Sequence, residues 1–289
     1  METLFILEKM IDYTFLDGGV VMHKILFVGA GSMAEALIHG WVEQEVVPSS
    51  NIYVMNRTNR DRLIELQQQY QVNILKNNEE ISDMDLIILA TKPKDVIPAM
   101  QAILPFVSQN TAVLSVLAGI AIQTIEAGMG IRPIARVMPN TSATIGMSAS
   151  GIAFNEQVTD SQKTLYLQLL EAVGIVIEVE EDKLHAVTAL SGSGPAYLYY
   201  LLEAWEAVGS EFGLTKEVVR ELMIQTIAGS AAMLQSVKEE PTVLRRKVTS
   251  PGGTTEAGIM ALESYRFNEA IYACVKSAEA RSRELAKGL

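Results

Sequence analysis

The sequence predicts an α/β domain followed by an all-α one, and three observations say so. Short apolar runs alternate with stretches of helical periodicity as far as residue 180. From Asp182 to Lys287 the period is helical almost throughout, with no convincing strand. Between the first run and the first helix stands a glycine turn, Gly29-Ala30-Gly31, of the kind that brings a backbone close to phosphate oxygens.

In chain order, Ile25–Val28 is apolar at every position, as a strand buried on both faces requires. Gly29, Gly31 and Ala34 follow with G-x-G-x-x-A spacing, and Ser32–Gln44 is a helix. Strand, tight turn and helix together indicate a Rossmann-type dinucleotide-binding domain; the spacing alone also fits an ordinary strand–helix turn. The second strand, Asn51–Met55, ends in Asn56, Arg57, Thr58, Asn59 and Arg60, with no acid to accept from a ribose 2′-hydroxyl. Arginines and a hydroxyl suit a 2′-phosphate, so NADP(H) is preferred and NAD(H) remains possible. The strand Leu86–Thr91 leads through Lys92-Pro93 into a helix, Asp95–Leu104. Ala112–Leu117 ends at Ala118-Gly119, and Ile134–Met138 ends at Pro139-Asn140. These ends belong to the carboxyl edge of a sheet, where open α/β folds bind ligands. Shorter strands are expected at Met147–Phe154 and Ile175–Val179, with a helix at Asp160–Val173 between them.

The all-α half reads as helices at Leu184–Leu190, Pro195–Phe212, Lys216–Val237, Thr255–Ser264 and Phe267–Ala286. Thr215 is the N-cap expected before Lys216. The stretch Pro195–Gly209 is apolar around most of its circumference and must be buried, either against a second subunit or at the centre of a monomeric bundle. Thr249–Ile259 (TSPGGTTEAGI) is a loop with special backbone angles at the head of a helix. Its amides, with the hydroxyls of Ser250 and Thr255, fit an anionic group such as a carboxylate; the same spacing fits a plain capped helix. The predicted division is residues 1–22 as an N-terminal extension, 23–180 as the dinucleotide domain and 181–289 as the helical domain.

Composition excludes several classes. The net charge of −11 disfavours nucleic acid as a partner. One cysteine, Cys274, allows no internal disulfide, and with three histidines leaves no Cys/His zinc set. No apolar run reaches the roughly 20 residues of a membrane span. Residues 1–22 lack the pattern of a secretory signal, so a cytoplasmic location is expected.

The motifs GAGSMA from Gly29, NRT from Asn56, TKP from Thr91, LAG from Leu117, RVMPN from Arg136, ALSGSGPAY from Ala189 and VTSPGGTT from Val248 occur in this order. By them the chain resembles pyrroline-5-carboxylate reductase, an enzyme that makes proline by reducing a cyclic imine with NAD(P)H. The resemblance spans residues 23–287. It implies that Val28, Gly29, Ala30, Gly31, Ser32, Met33 and Ala34 hold the dinucleotide. Asn56, Arg57, Asn77, Ala90, Thr91, Lys92, Pro93, Ala118 and Gly119 would complete that site, with Asn140 near the nicotinamide. Ser250, Gly252, Gly253, Thr254 and Thr255 would hold the substrate carboxylate, with the Thr255 hydroxyl at the ring nitrogen as the catalytic group. Glu181 and Lys247 would stand close to the substrate. A homodimer through the helical half is implied, and rings of five dimers are common in the family. Arg245-Arg246-Lys247 departs from the pattern, which has an acid at the middle position and often an amide at the third.

A pyrroline nitrogen protonates near neutrality, so the protein needs no strong acid, and His23, His39 and His185 all lie outside the motifs. Two other readings compete. A β-hydroxyacid dehydrogenase needs a lysine on the helix after the glycine-rich turn, but no lysine occurs between Ser191 and Lys216. A non-catalytic dinucleotide-binding paralogue is disfavoured by intact Ser250, Gly252, Gly253 and Thr255.

Overall fold

The computed structural model describes residues 24–287. The expected N-terminal extension and His23 lie outside the described residues. Eight strands form one sheet: β1 Ile25–Val28, β2 Ile52–Met55, β3 Asn73–Ile74, β4 Leu86–Leu89, β5 Ala112–Ser115, β6 Ile134–Met138, β7 Ser148–Phe154 and β8 Gly174–Glu178. Their order is β3-β2-β1-β4-β5-β6-β7-β8, parallel except where β7 runs antiparallel to β6. The order reverses between β1 and β4, and a crevice at such a reversal is where doubly wound sheets take ligands.

Five helices cover the sheet: α1 Ser32–Glu43, α2 Arg60–Tyr70, α3 Val96–Ile103, α4 Ile122–Met129 and α5 Asp160–Glu171. Alternate residues of the central strands feed opposite layers, as a period of two dictates. Phe27, Ile88 and Leu114 pack under α1, α2 and α5 with Leu37, Trp41, Leu66 and Leu169. Leu26, Ile87 and Val113 pack under α3 and α4 with Met100, Ile103 and Ile125. Trp41 fastens the first layer: its indole N–H donates to Leu169 O at 2.6 Å and its ring stands 5.3 Å from Phe27.

After β8 every described element is helical: α6 Leu184–Val187, α7 Gly194–Glu211, α8 Lys216–Val237, α9 Pro241–Lys247, α10 Thr254–Ser264 and α11 Phe267–Lys287. The expected helix Leu184–Leu190 is in fact α6 followed by a π-type turn, Thr188–Gly192, with Ser193 N–H reaching Thr188 O. α9 and the two-residue β3 escape the sequence reading because each is too short to show a period. Thr215 caps α8 as expected, accepting from Val218 N–H at 3.4 Å.

α7 and α8 cross where Gly209 meets Val219, a contact so close that a Cβ on Gly209 would lie 2.3 Å from the valine methyl. Elsewhere these helices leave Tyr199, Tyr200, Leu222, Ile224 and Met233 at the surface of the single chain. α11 returns to the start of the helical half. There Ser282 Oγ lies 2.9 Å from His185 Nδ1, and Arg283 pairs with Asp182 at 2.9 Å. Among the described residues no helix is long and apolar enough to cross a membrane.

Candidate active site

The glycine turn is built by β1 and α1. Gly29 has φ +110°, and a Cβ there would lie 2.5 Å from Ala90 O, so only glycine lets the turn press against the end of β4. Gly31 shows the opposite geometry: a Cβ would meet nothing within 4 Å, because its outer side is open. Gly31 is also the N-cap of α1, and no side chain caps the helix. The first-turn amides of Ser32, Met33 and Ala34 are therefore left for an anion, and the helix dipole favours one.

The fold gathers the other expected dinucleotide residues around this turn. Asn56 makes an Asx turn with Thr58 N–H, and Arg57 reaches from the end of β2 to Asp95 beyond the Thr91-Lys92-Pro93 turn, 3.6 Å between charged atoms. That ion pair joins the segments that follow β2 and β4, on either side of β1. Arg57 is 73% exposed, so its guanidinium keeps donors for a ligand. Ala118 and Gly119 follow β5, and the last turn of α11 packs beside Gly119. A glycine cradle, an uncapped helix and an exposed arginine in place of an acid fit a dinucleotide with a 2′-phosphate.

Two residues expected at this site carry structural bonds. Asn77 accepts from Glu80 N–H at 3.2 Å and donates to Glu80 Oε1 at 3.0 Å, a reciprocal cap on the short turn Asn78–Asp83. Asn140 is buried, accepts from Ser142 N–H and donates to Ser191 O at 3.0 Å, which ties the end of β6 to the π-type turn.

The loop Thr249–Gly253 stands in a different setting. α10 starts at Thr254, one residue earlier than expected, so Thr254 and Thr255 lie in its first turn rather than before it. Gly253 is the N-cap and no side chain caps the helix. Gly252 takes φ +71°, and its N–H donates to Glu256 Oε2 at 2.7 Å. Gly253 N–H is bonded to Ser250 O at 3.0 Å within the loop. The amides of Thr254 and Thr255 remain, beside the exposed side chains of Ser250, Thr254 and Thr255. The loop's hydrogen bonds are local, and within one chain it is not joined to the glycine turn.

Glu181 and Lys247 each carry an ion pair within the chain. Glu181 Oε1 accepts from Ile122 N–H at 2.7 Å and from buried Arg136 at 3.0 Å, so it caps α4 and neutralises a strand arginine. It lines a groove of about 530 Å³ with Ile122, Glu126, Phe154 and Asn155, which contains neither the glycine turn nor the loop. Lys247 Nζ is held by both oxygens of Glu239, at 2.7 and 2.6 Å. The sequence reading missed Arg62, whose Nε donates to Ala30 O at 3.2 Å inside the glycine turn. Nothing in its spacing distinguishes it from the neighbouring arginines.

A Rossmann-type sheet with an anion-ready glycine turn, joined to a helical half with a second uncapped helix start, has the architecture of a dinucleotide-dependent oxidoreductase. Residues 24–119 match the family described as NADP oxidoreductase coenzyme F420-dependent, and residues 181–285 match pyrroline-5-carboxylate reductase dimerisation. The chain is 45% identical to pyrroline-5-carboxylate reductase 2 of Bacillus subtilis over 91% of its own length and 95% of that protein's. It is 43% identical to pyrroline-5-carboxylate reductase 1 of the same organism, over 92% and 90%. Among solved structures, a pyrroline-5-carboxylate reductase from Coxiella burnetii superposes with a TM-score of 0.85 at 34% identity, covering 92% of this chain and 99% of that one. A Plasmodium falciparum pyrroline carboxylate reductase, solved with NADP bound, gives 0.82 at 28% identity, over 92% and 99%. The chain belongs to the pyrroline-5-carboxylate reductase family.

Proposed function

We propose that the protein reduces L-1-pyrroline-5-carboxylate to L-proline with NADPH, the last step of proline biosynthesis. The observation that carries this reading is a second uncapped helix start, at Thr254-Thr255, in a chain whose first already suits a pyrophosphate. A dinucleotide site alone fits many dehydrogenases; the added carboxylate grip on the helical half selects a small acid as the second reactant.

NADPH, when bound, supplies the hydride that adds to the imine carbon. The chain's own residues do the rest. The open side of Gly31 and the first-turn amides of α1 receive the pyrophosphate, and Arg57 with Asn56 takes the 2′-phosphate. The amides of Thr254 and Thr255, with the Ser250 hydroxyl, hold the substrate carboxylate. The Thr255 hydroxyl oxygen accepts from the N–H of the protonated ring nitrogen and orients it; as the electron pair of the C=N bond is released onto nitrogen the product forms as a neutral amine, to which the hydroxyl relays a proton from water. The substrate nitrogen enters already protonated, so the chain supplies no acid of its own. Its contribution is placement, worth several kcal/mol, with estimates of about 7–11 for well-oriented reactants.

The helical half carries the family's dimerisation region, and its exposed apolar residues are suited to that use. Each substrate loop then meets a dinucleotide edge across the dimer, and dimers assemble further into rings of five. A cytoplasmic location accords with the lone thiol of Cys274. The division between the two domains lies at residues 180 and 181. The test is NADPH oxidation with pyrroline-5-carboxylate, with proline identified as product. NADPH binding without turnover would point instead to a sensing paralogue.

A further inference from the structure

We infer that Arg62 is a positioning residue that sets selectivity for the 2′-phosphorylated dinucleotide, by locking α2 to the glycine turn and silencing an acid beside it. The inference rests on the NADP(H) reading above. α1 carries Glu35 in its first turn, beside the amides that suit a pyrophosphate. A free carboxylate there stabilises the helix but repels the ligand. Arg62 removes that conflict: its Nη2 pairs with Glu35, whose other oxygen accepts from the Tyr70 hydroxyl at 3.4 Å.

The remaining donors of Arg62 are also placed. Nε donates to Ala30 O at 3.2 Å, Nη1 to Glu65 at 3.0 Å, and the backbone N–H to the Asn59 cap at 3.0 Å. One half-buried side chain thus fixes the start of α2, which follows Asn56-Arg57 after Thr58 and Asn59, against the carbonyl between Gly29 and Gly31. The two phosphate subsites sit on different elements, and Arg62 holds their spacing. NADH engages only the first subsite, whereas NADPH spans both. Without Arg62, Glu35 and Glu65 are left unpaired near the more highly charged of the two cofactors.

The test is fluorescence titration of the full-length chain with NADPH and with NADH, for the wild type, Arg62→Met and Arg62→Lys. Arg62→Met should weaken NADPH by about tenfold or more and NADH by less than about threefold, so that the ratio of the two Kd values moves. Arg62→Lys keeps the charge and loses the fork, and should fall between. It also decides the matter if Arg62→Met does not fold. Equal weakening of both cofactors in the variant that folds, or no change in either, would overturn the inference while leaving the cofactor reading intact. A wild type that binds neither cofactor would overturn both.

Discussion

Helices α1 and α10 begin alike and sit in different surroundings. Each follows a glycine N-cap in extended conformation, and neither has a side-chain cap. α1 then buries Ala34, Ala36, Leu37, Ile38, Gly40 and Trp41 against the sheet, whereas α10 buries no residue within the single chain. The same uncapped start is packed inside one chain in the first case and is left open in the second. The difference teaches that local backbone geometry makes a helix start receptive, while packing decides whether it is a finished site. α1 is packed by its own chain; α10 leaves a surface uncovered, which on the proposed reading a second subunit supplies.

The largest expected effect follows from that asymmetry. Leu222 is 57% exposed on α8, and glutamate in its place should abolish a helical dimer contact by burying a charge. Leu222→Glu is expected to sediment as a smaller species and lose nearly all turnover, while NADPH binding at the α1 site survives. A variant that stays assembled and active would show that α10 is completed some other way. The next effect isolates one hydroxyl. Thr255→Ala should lower kcat by about 100-fold, the scale on which a group aimed at the reacting atoms acts, with the Kd for NADPH unchanged. Unaltered kcat would remove the hydroxyl from the mechanism.

A third pair of variants separates two jobs within the α1 turn. Gly29→Ala forces a side chain into φ +110° and 2.5 Å from a backbone oxygen, and should cost about 2–4 kcal/mol. Thermal melting would register that as a drop of roughly 5–10 °C. Gly31→Ala meets open space and should leave the melting temperature alone while weakening NADPH. If both variants melted like the wild type, the turn would be looser than its geometry says.

The legibility of the two helix starts in the sequence differs for the same reason. Around α1 a strand of four apolar residues, two glycines and a helical period reinforce one another, and Ile25–Val28 is observed with the bounds that pattern gives. Around α10 the loop was readable as a loop, but its contacts were not. That Glu256 takes the amide of Gly252, or that Gly253 N–H turns inward, depends on rotamers and chain reversal that spacing does not encode. Glu181 and Lys247 show the same limit: the resemblance sets them near a substrate, but spacing does not disclose their ion pairs with partners 45 and 8 residues away in sequence. Arg62 was invisible because its role depends on where a neighbouring turn places one carbonyl.

The smallest expected effect lies at the seam that returns α11 to the start of the helical half. His185 is buried against Ser282, and its pKa is held below the ordinary value, first by burial and then by Arg136 and Arg283, with Asp182 and Glu279 pulling the other way. A histidine with a depressed folded pKa binds fewer protons in the native state than in the unfolded one as pH falls through 6.5. Native stability therefore declines from pH 6.5 downward until the folded pKa is passed, and this contribution is flat above neutrality. Asp182, depressed to about 2 by Arg283, acts in the same direction further down: its contribution is present above 3.8 and is lost as pH falls through 2. Melting curves between pH 8 and pH 5 should show the first decline alone, and His185→Gln should flatten it by less than about 3 °C. If the wild type and His185→Gln kept parallel profiles, protonation at this seam would not be coupled to folding, and the closure of α11 would rest on the Asp182–Arg283 pair and apolar packing.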